Sequence, residues 1–286
     1  MSTMTSTAVT PPARMTDPAV RFVDLLAAEW IKMRSLRSTY WVLVVSALVA
    51  IAVNLNAVHT DLTYIDQSAR PGMPPYRYDP LFHGLNSIAV YLMMLAAASV
   101  GAISIFGEYA TGMVRTTFAA VPDRRAVVAA KVVVVTAVTL VMGVIISTAS
   151  FFGTNAMLAS RHVGLSINDP GCLRAVTAYA LIVPVSALIG IAFAAVIRHA
   201  TATIVGLVSL LFIAPLMFGG DRYKLLKEIG HYLPIAAVDR LKENPDNPYF
   251  DPGKYPATIT GSWIALGCWA LVSVVVAIVV VRRRDV

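Results

Sequence analysis

Charged residues are scarce in this chain, and their scarcity sets the class of protein. Only 14% of the 286 residues are charged, 57% are hydrophobic, and the mean hydropathy is +0.71. Soluble domains carry about 25% charged residues. Cysteine is also scarce, and no disulfide is expected because Cys172 lies in a loop and Cys268 inside an apolar run. The composition excludes an ordinary soluble domain and predicts a membrane protein.

The long apolar runs lack acidic and basic residues in their central portions. Intramembrane charges mark proton relays and ion pathways, so their absence argues against an ion-coupled carrier. The sequence also has no phosphate-binding loop motif and no nucleophile–base pair, and its histidines lack the spacing of metal ligands. We therefore expect no catalytic residue, no metal and no cofactor in this chain, and no energy source of its own.

Six apolar runs are long enough to cross a bilayer, which takes about 20 residues as a helix. Their length and lack of strict alternation favour helices over barrel strands. The predicted fold is an all-α polytopic membrane protein: a single six-span domain over residues 17–286, after a disordered tail at 1–16. No cleaved signal peptide is expected, because the first run follows a 39-residue polar lead. The predicted spans are Tyr40–Val58, Leu85–Phe106, Val127–Phe152, Ala175–Ile197, Ala200–Phe218 and Thr260–Val281.

The distribution of basic residues predicts the orientation of these spans. With both termini on one side, that side carries 13 basic and six acidic residues, and the opposite side carries 10 of each. The basic side is expected to be cytoplasmic, in the plasma membrane. The net charge of +7 then reflects topology and contact with anionic lipid, and no nucleic-acid partner is expected.

The segment before the first span, Asp17–Ser38, is predicted to form an interfacial helix. Asp17 can cap the helix and Pro18 suits its first turn. A tryptophan at the boundary and basic residues on the opposite face are typical of helices that lie in the membrane interface. The alternative is a cytosolic extension of the first span. The predicted apolar face consists of Phe22, Leu26, Trp30 and Met33.

Between the second and third spans, Gly107–Lys131 is short, amphipathic and charged. We expect a helix over Gly107–Val121, a break before Pro122, and a new helix capped by Asp123. A membrane protein that receives force from a soluble partner needs such an element tied to two spans. The alternative is a solvated loop whose basic residues only fix topology.

Two further features concern packing and the largest loop. Small residues recur at four-residue spacing at Ala97 and Gly101 and at Ser186 and Gly190, which predicts close helix packing. The external loop Gly219–Ile259 contains an amphipathic stretch that we expect to rest on the outer membrane surface. Its apolar residues are Leu225, Leu226, Ile229, Tyr232 and Leu233.

Two motifs resemble a known family. They are E-W-x-K-x-R-x-x-R-S-T-x-W at Glu29–Trp41 and G-E-Y-x-T-G-M-x-R-T-T at Gly107–Thr117. Both resemble membrane subunits of bacterial ABC transporters of the type-2 exporter class. The six-span layout with cytoplasmic termini is similar as well.

This resemblance implies a permease subunit that moves an unidentified, amphipathic or lipid-like cargo. A separate cytoplasmic ABC ATPase would bind and hydrolyse ATP, and a second permease chain would complete a homo- or heterodimer. The helix between spans two and three would be the coupling helix. The implied ATPase-coupling residues are Glu108, Tyr109, Gly112 and Arg115, with Glu29, Lys32 and Arg34 as a secondary set.

Two other functions remain open from the sequence. A stand-alone channel, carrier or membrane-embedded enzyme would be active in liposomes without ATP or a partner. A non-transporting anchor or sensor would bind a partner and move nothing.

Overall fold

The computed structural model describes residues 21–74, 76, 78–121, 123–220, 222–244 and 254–283, and every regular element in these ranges is helical. The predicted tail at 1–16 and the predicted cap at Asp17 lie outside them. Six helices are long and apolar enough to cross a membrane. The chain is thus an all-α, multi-pass membrane protein. Its helices are α1 Phe22–Ser35, α2 Arg37–Ser68, α3 Pro80–Gly84, α4 Ser87–Ala110, α5 Met113–Ala120, α6 Arg124–Ala159, α7 Cys172–Ile197, α8 Ala200–Val208, α9 Ala214–Phe218, α10 Lys224–Gly230, α11 Pro234–Lys242 and α12 Ile259–Arg283.

The spans are α2, α4, α6, α7, the α8–α9 pair and α12, in agreement with the six predicted runs. Helices α2 and α6 have 32 and 36 residues. At 1.5 Å per residue they are about 48 and 54 Å long, which exceeds the ~30 Å hydrocarbon layer. Both helices therefore continue past the apolar run that defines them, into polar sequence at their ends.

Helix α7 forms the centre of the bundle, and 78% of its most apolar 18-residue stretch is buried. Its close neighbours are α4 and α6. A Cβ added at Gly190 would overlap the carbonyl of Ala98, and one at Gly101 would overlap that of Ala187. The close helix packing predicted from these small residues is therefore confirmed, and it joins α4 and α7 of the same chain.

The fifth span is the least buried, at 17%. Its two helices are joined by a π-helical turn at Ser209–Ile213. Pro215, in the first turn of α9, has no N–H to donate, and its ring clashes with the carbonyl four residues earlier. A π turn just before it widens the helix and relieves that clash.

The amphipathic stretch of the last long loop divides into two helices that differ in burial. In α10 the side chains of Leu225 and Ile229 are exposed, as expected for a surface element. Leu233, which we expected on the surface, is buried, and the next helix, α11, buries Val238 and Leu241 against the bundle. Pro234 at the first position of α11 separates the two helices.

The alternating spans define two ends of the bundle. The α1 end contains α1, α5, the last turn of α4, the first turns of α6 and the end of α7. The α11 end contains α3, α10, α11 and the loop before α3.

The two cysteines are unpaired, as expected, with Cys172 buried and Cys268 exposed.

Candidate functional site

The candidate site lies at the α1 end, where α1 packs against the start of α6. Leu25 and Glu29 are one helical turn apart and both are buried. Leu25 forms a small apolar cluster with Val127 and Ala130 of α6. This contact brings the carboxylate of Glu29 next to α6. The predicted apolar face of α1 is only partly used, because Phe22 and Trp30 stay exposed.

Four charged side chains from three helices form one network beside this contact, the four-charge network of Glu29, Lys32, Glu108 and Lys131. Glu29 Oε1 lies 2.7 Å from Lys32 Nζ, and Glu29 Oε2 lies 2.5 Å from Lys131 Nζ. Glu108 Oε1 lies 2.7 Å from Lys32 Nζ and 3.0 Å from Lys131 Nζ. Two carboxylates and two ammonium groups leave no net charge.

The network is largely withdrawn from solvent. The side chains of Glu29 and Lys131 are each 5% exposed, and those of Glu108 and Lys32 are 13% and 22% exposed. Burial alone would lower the pKa of Lys32, but its hydrogen bonds to Glu108 and Glu29 outweigh burial, and the pKa rises above 10.5. Lys32 is therefore an ammonium group at any physiological pH.

The segment between the second and third spans differs in detail from the expected single helix. Helix α4 continues to Ala110, and the expected helix over Gly107–Val121 is wrong because the chain breaks at Thr111 and Gly112. Gly112 has φ 71°, a left-handed conformation that glycine adopts without steric cost. The short helix α5 follows. The expected cap is confirmed, because the Asp123 side chain accepts hydrogen bonds from the backbone N–H groups of Arg125 and Ala126.

The structure brings three of the seven predicted coupling residues into the network: Glu29, Lys32 and Glu108. Tyr109 lies apart from it, under the guanidinium of Arg198, whose Cζ is 5.3 Å from the ring centroid. Gly112 separates α4 from α5, and Arg34 is exposed near the end of α1. The side chain of Arg115 lies outside the described part of the molecule.

Sequence reasoning missed two members of the site, Lys131 and Arg198, which it used only to predict topology. Lys131 interrupts the apolar run AVVAAKVVVV, and a lysine inside such a run needs a carboxylate partner when buried. Arg198 ends α7 with φ 56°, an uncommon conformation for a residue other than glycine. Only Lys131 was a detectable signal in the sequence, and it identified no partner; the conformation of Arg198 is visible only in the structure.

The described residues contain no cluster of three or more His, Cys, Asp or Glu side chains that could hold a metal ion. The network itself is a charged contact between α1, α4 and α6. The chain matches no protein-family model, and no curated protein sequence is significantly similar to it.

Proposed function

We propose that this chain is the permease subunit of an ABC transporter of the exporter type, powered by a separate ATPase subunit. One observation carries the proposal: the four-charge network joins α1 to the end of the second span and the start of the third, and α5 connects those two spans along the chain. A short helix held in this way can pass force from a soluble partner to two spans. The motif resemblance at Glu29–Trp41 and Gly107–Thr117 supports the same function.

The proposal places the α1 end in the cytoplasm and the protein in the plasma membrane. The excess of 13 basic over six acidic residues on that side supports this orientation. The exposed apolar residues Val23, Trp30 and Ile31 of α1 support an interfacial position for that helix, because such side chains can enter the lipid boundary.

Within this proposal the predicted coupling residues take three roles. Glu29, Lys32 and Glu108 are positioning residues, since their charged groups already bind one another and Lys131. Direct contact with the ATPase falls to the exposed Arg34 and to α5 with Arg115. Gly112 lets α5 turn relative to α4. Movement of the ATPase would then tilt α4 and α6 as a rigid body.

A second permease chain completes the proposed transporter. Only 17% of the apolar stretch of the fifth span is buried within this chain. The span therefore offers a lipid-facing surface that a second copy can cover. A two-fold arrangement is the commonest for such pairs. The proposed cargo remains an amphipathic or lipid-like compound, because the spans lack charges in their central portions.

Co-purification and ATP hydrolysis test this function without knowledge of the cargo. The chain is expressed with its native genomic neighbours, and a bound ATPase is sought. We expect Arg115→Glu to reduce permease-stimulated ATP hydrolysis by about tenfold, which equals ~1.4 kcal/mol of coupling, with the complex still assembled. Arg161→Glu, a matched charge reversal at the α11 end, should leave the rate unchanged.

Two outcomes would contradict the proposal. If no ATPase binds and the purified chain moves solutes in liposomes without ATP, the protein is a stand-alone channel or carrier. If an ATPase binds but Arg115→Glu and Arg161→Glu hydrolyse ATP equally well, α5 is not the coupling element.

A further inference from the structure

A cavity of about 190 Å³ lies at the α1 end, between α1, α2, α4 and α6. One end of the cavity is polar and is formed by the four-charge network. The remaining wall is mostly apolar, and its members include Leu36, Val100, Ile103, Val134 and Val135. A site with one charged end and an apolar wall matches an amphiphile.

The polar end retains hydrogen-bonding capacity. Both lysines bond to Oε1 of Glu108, and no described residue donates to its Oε2. Each lysine ammonium has three N–H donors. Lys32 and Lys131 each use two of them within the network, on Glu29 and Glu108. Among the described residues, one carboxylate oxygen of Glu108 and one N–H group of each lysine therefore have no partner, and all three side chains line the cavity.

These groups define the head group that would fit. A free carboxylate oxygen accepts from an ammonium group, and the two remaining N–H groups donate to a phosphate. Because the network has no net charge, it favours a ligand that carries one charge of each sign over a net anion. Phosphatidylethanolamine has both an N–H-bearing ammonium and a phosphate.

The size and position of the cavity favour a membrane lipid over a soluble compound. At about 190 Å³ the cavity is smaller than the ~300–1,000 Å³ of typical small-molecule sites, so it holds a head group while the acyl chains lie outside. Ile103 and Met113 line the cavity and are 37% and 39% exposed. An apolar rim of this kind lets acyl chains continue along the surface of the bundle.

We propose that this cavity binds the head group of one phosphatidylethanolamine molecule, with its ammonium on Glu108 and its phosphate on Lys32 and Lys131. The bound lipid would fix α1 against α2 and α4. This site is independent of the proposed transport function, since it requires neither an ATPase nor a cargo.

Native mass spectrometry of the full-length purified chain tests the site. The chain is titrated with phosphatidylethanolamine, phosphatidylcholine or phosphatidylglycerol of identical acyl chains. We expect one phosphatidylethanolamine to bind at least about tenfold more tightly than either other lipid, a difference of ~1.4 kcal/mol. Phosphatidylcholine has no N–H donor for Glu108, and phosphatidylglycerol has no ammonium.

A pair of tryptophan variants on α4 locates the binding. Ile103→Trp fills the rim of the cavity and should abolish the preference for phosphatidylethanolamine. Ile88→Trp, at an exposed position near the other end of the same helix, should preserve it. Equal affinity of the wild-type chain for phosphatidylethanolamine and either other lipid would overturn the proposal, even if Ile103→Trp does not fold. Equal preference in the two folded variants would also overturn it.

Discussion

The two ends of the bundle each bury a lysine, and the two lysines are neutralised in different ways. Lys131 at the α1 end, whose side chain is 5% exposed, contacts two carboxylates, from α1 and α4. Lys242 at the α11 end, 0% exposed, donates to the carbonyl of Leu85 at 2.8 Å and to the Ser87 hydroxyl at 2.9 Å. Its carboxylate partner in the described part of the chain, Asp239 at 2.8 Å, comes from its own helix.

This difference has a physical consequence for each end. At the α1 end, charges on separate elements depend on one another, so a shift of α1 would separate buried opposite charges. At the α11 end, the charge pair travels with α11 and only neutral groups are contributed by α3 and α4. Arg174 of α7 adds hydrogen bonds to the carbonyls of Leu241 and Glu243, at 3.0 and 2.6 Å. Helix α1 is thus held to the bundle by charge, and helix α11 by hydrogen bonds to backbone carbonyls and to the Ser87 hydroxyl.

The largest effect that tests this comparison is expected from Lys131→Met. The substitution leaves Glu29 buried without its α6 partner, and removal of one member of a buried ion pair typically costs ~3–5 kcal/mol. The free energy of unfolding, measured in bicelles, should fall by about that amount.

The matched control for this variant is the double change Glu29→Gln with Lys131→Met, which removes one charge of each sign. We expect it to recover at least part of the lost stability, because an isosteric neutral pair carries no buried charge. A double variant no more stable than Lys131→Met would show that the network does not depend on charge balance.

A smaller effect is expected from Lys242→Met at the α11 end. Asp239 is 34% exposed and keeps the hydrogen bond from Ser87 at 2.7 Å, so water can solvate the carboxylate. The main cost is the carbonyl of Leu85 left without its donor, about 1–3 kcal/mol. The same unfolding measurement should therefore rank Lys242→Met below Lys131→Met. The reverse order would contradict the comparison between the ends.

Most of the fold follows from the sequence, because apolar runs report burial in lipid directly. The ends of the helices do not follow in the same way. The first span was predicted over Tyr40–Val58, but α2 continues to Ser68. Beyond the hydrocarbon layer a helix is stabilised by neighbouring elements, and hydropathy contains no record of them.

The candidate site was predicted only in part, for a related reason. The Glu29–Lys131 pair spans 102 residues of sequence, and the Lys242–Leu85 contact spans 157. Spacing rules describe neighbours within one helix, so they place Glu29 and Lys32 together but do not pair them with Lys131. The buried asparagine Asn54 was missed as well. It donates to Ser150 and Tyr179, at 2.9 and 2.8 Å. The sequence prediction considered only charged residues inside apolar runs, so it did not include this contact.

The smallest expected effect is the ionisation of Tyr76 at the α11 end, which occurs only at alkaline pH. At the α11 end, burial, the hydrogen bond to Asp61 and the negative charge of that carboxylate raise the pKa of Tyr76 to about 12. Because this folded-state pKa exceeds the usual value of 10.0, the contribution of Tyr76 to stability is complete below pH 10 and is lost as the pH rises through about 12. The Tyr76–Asp61 contact, at 2.6 Å, should therefore persist at neutral pH.

Ultraviolet titration of tyrosinate absorbance measures this group directly. Tyr76→Phe should remove one transition near pH 12, the value to which the pKa of Tyr76 is raised, whereas Tyr223→Phe, which removes an exposed ring, should leave that transition in place. Asp61→Asn should lower the pKa of Tyr76 but not to 10, because burial, the first cause of the shift, remains. A transition unchanged by Tyr76→Phe would show that the Tyr76 hydroxyl is not hydrogen-bonded to Asp61. The loop before α3 would then be anchored at the α11 end by other contacts, such as the one between His83 and Asp61 at 2.8 Å.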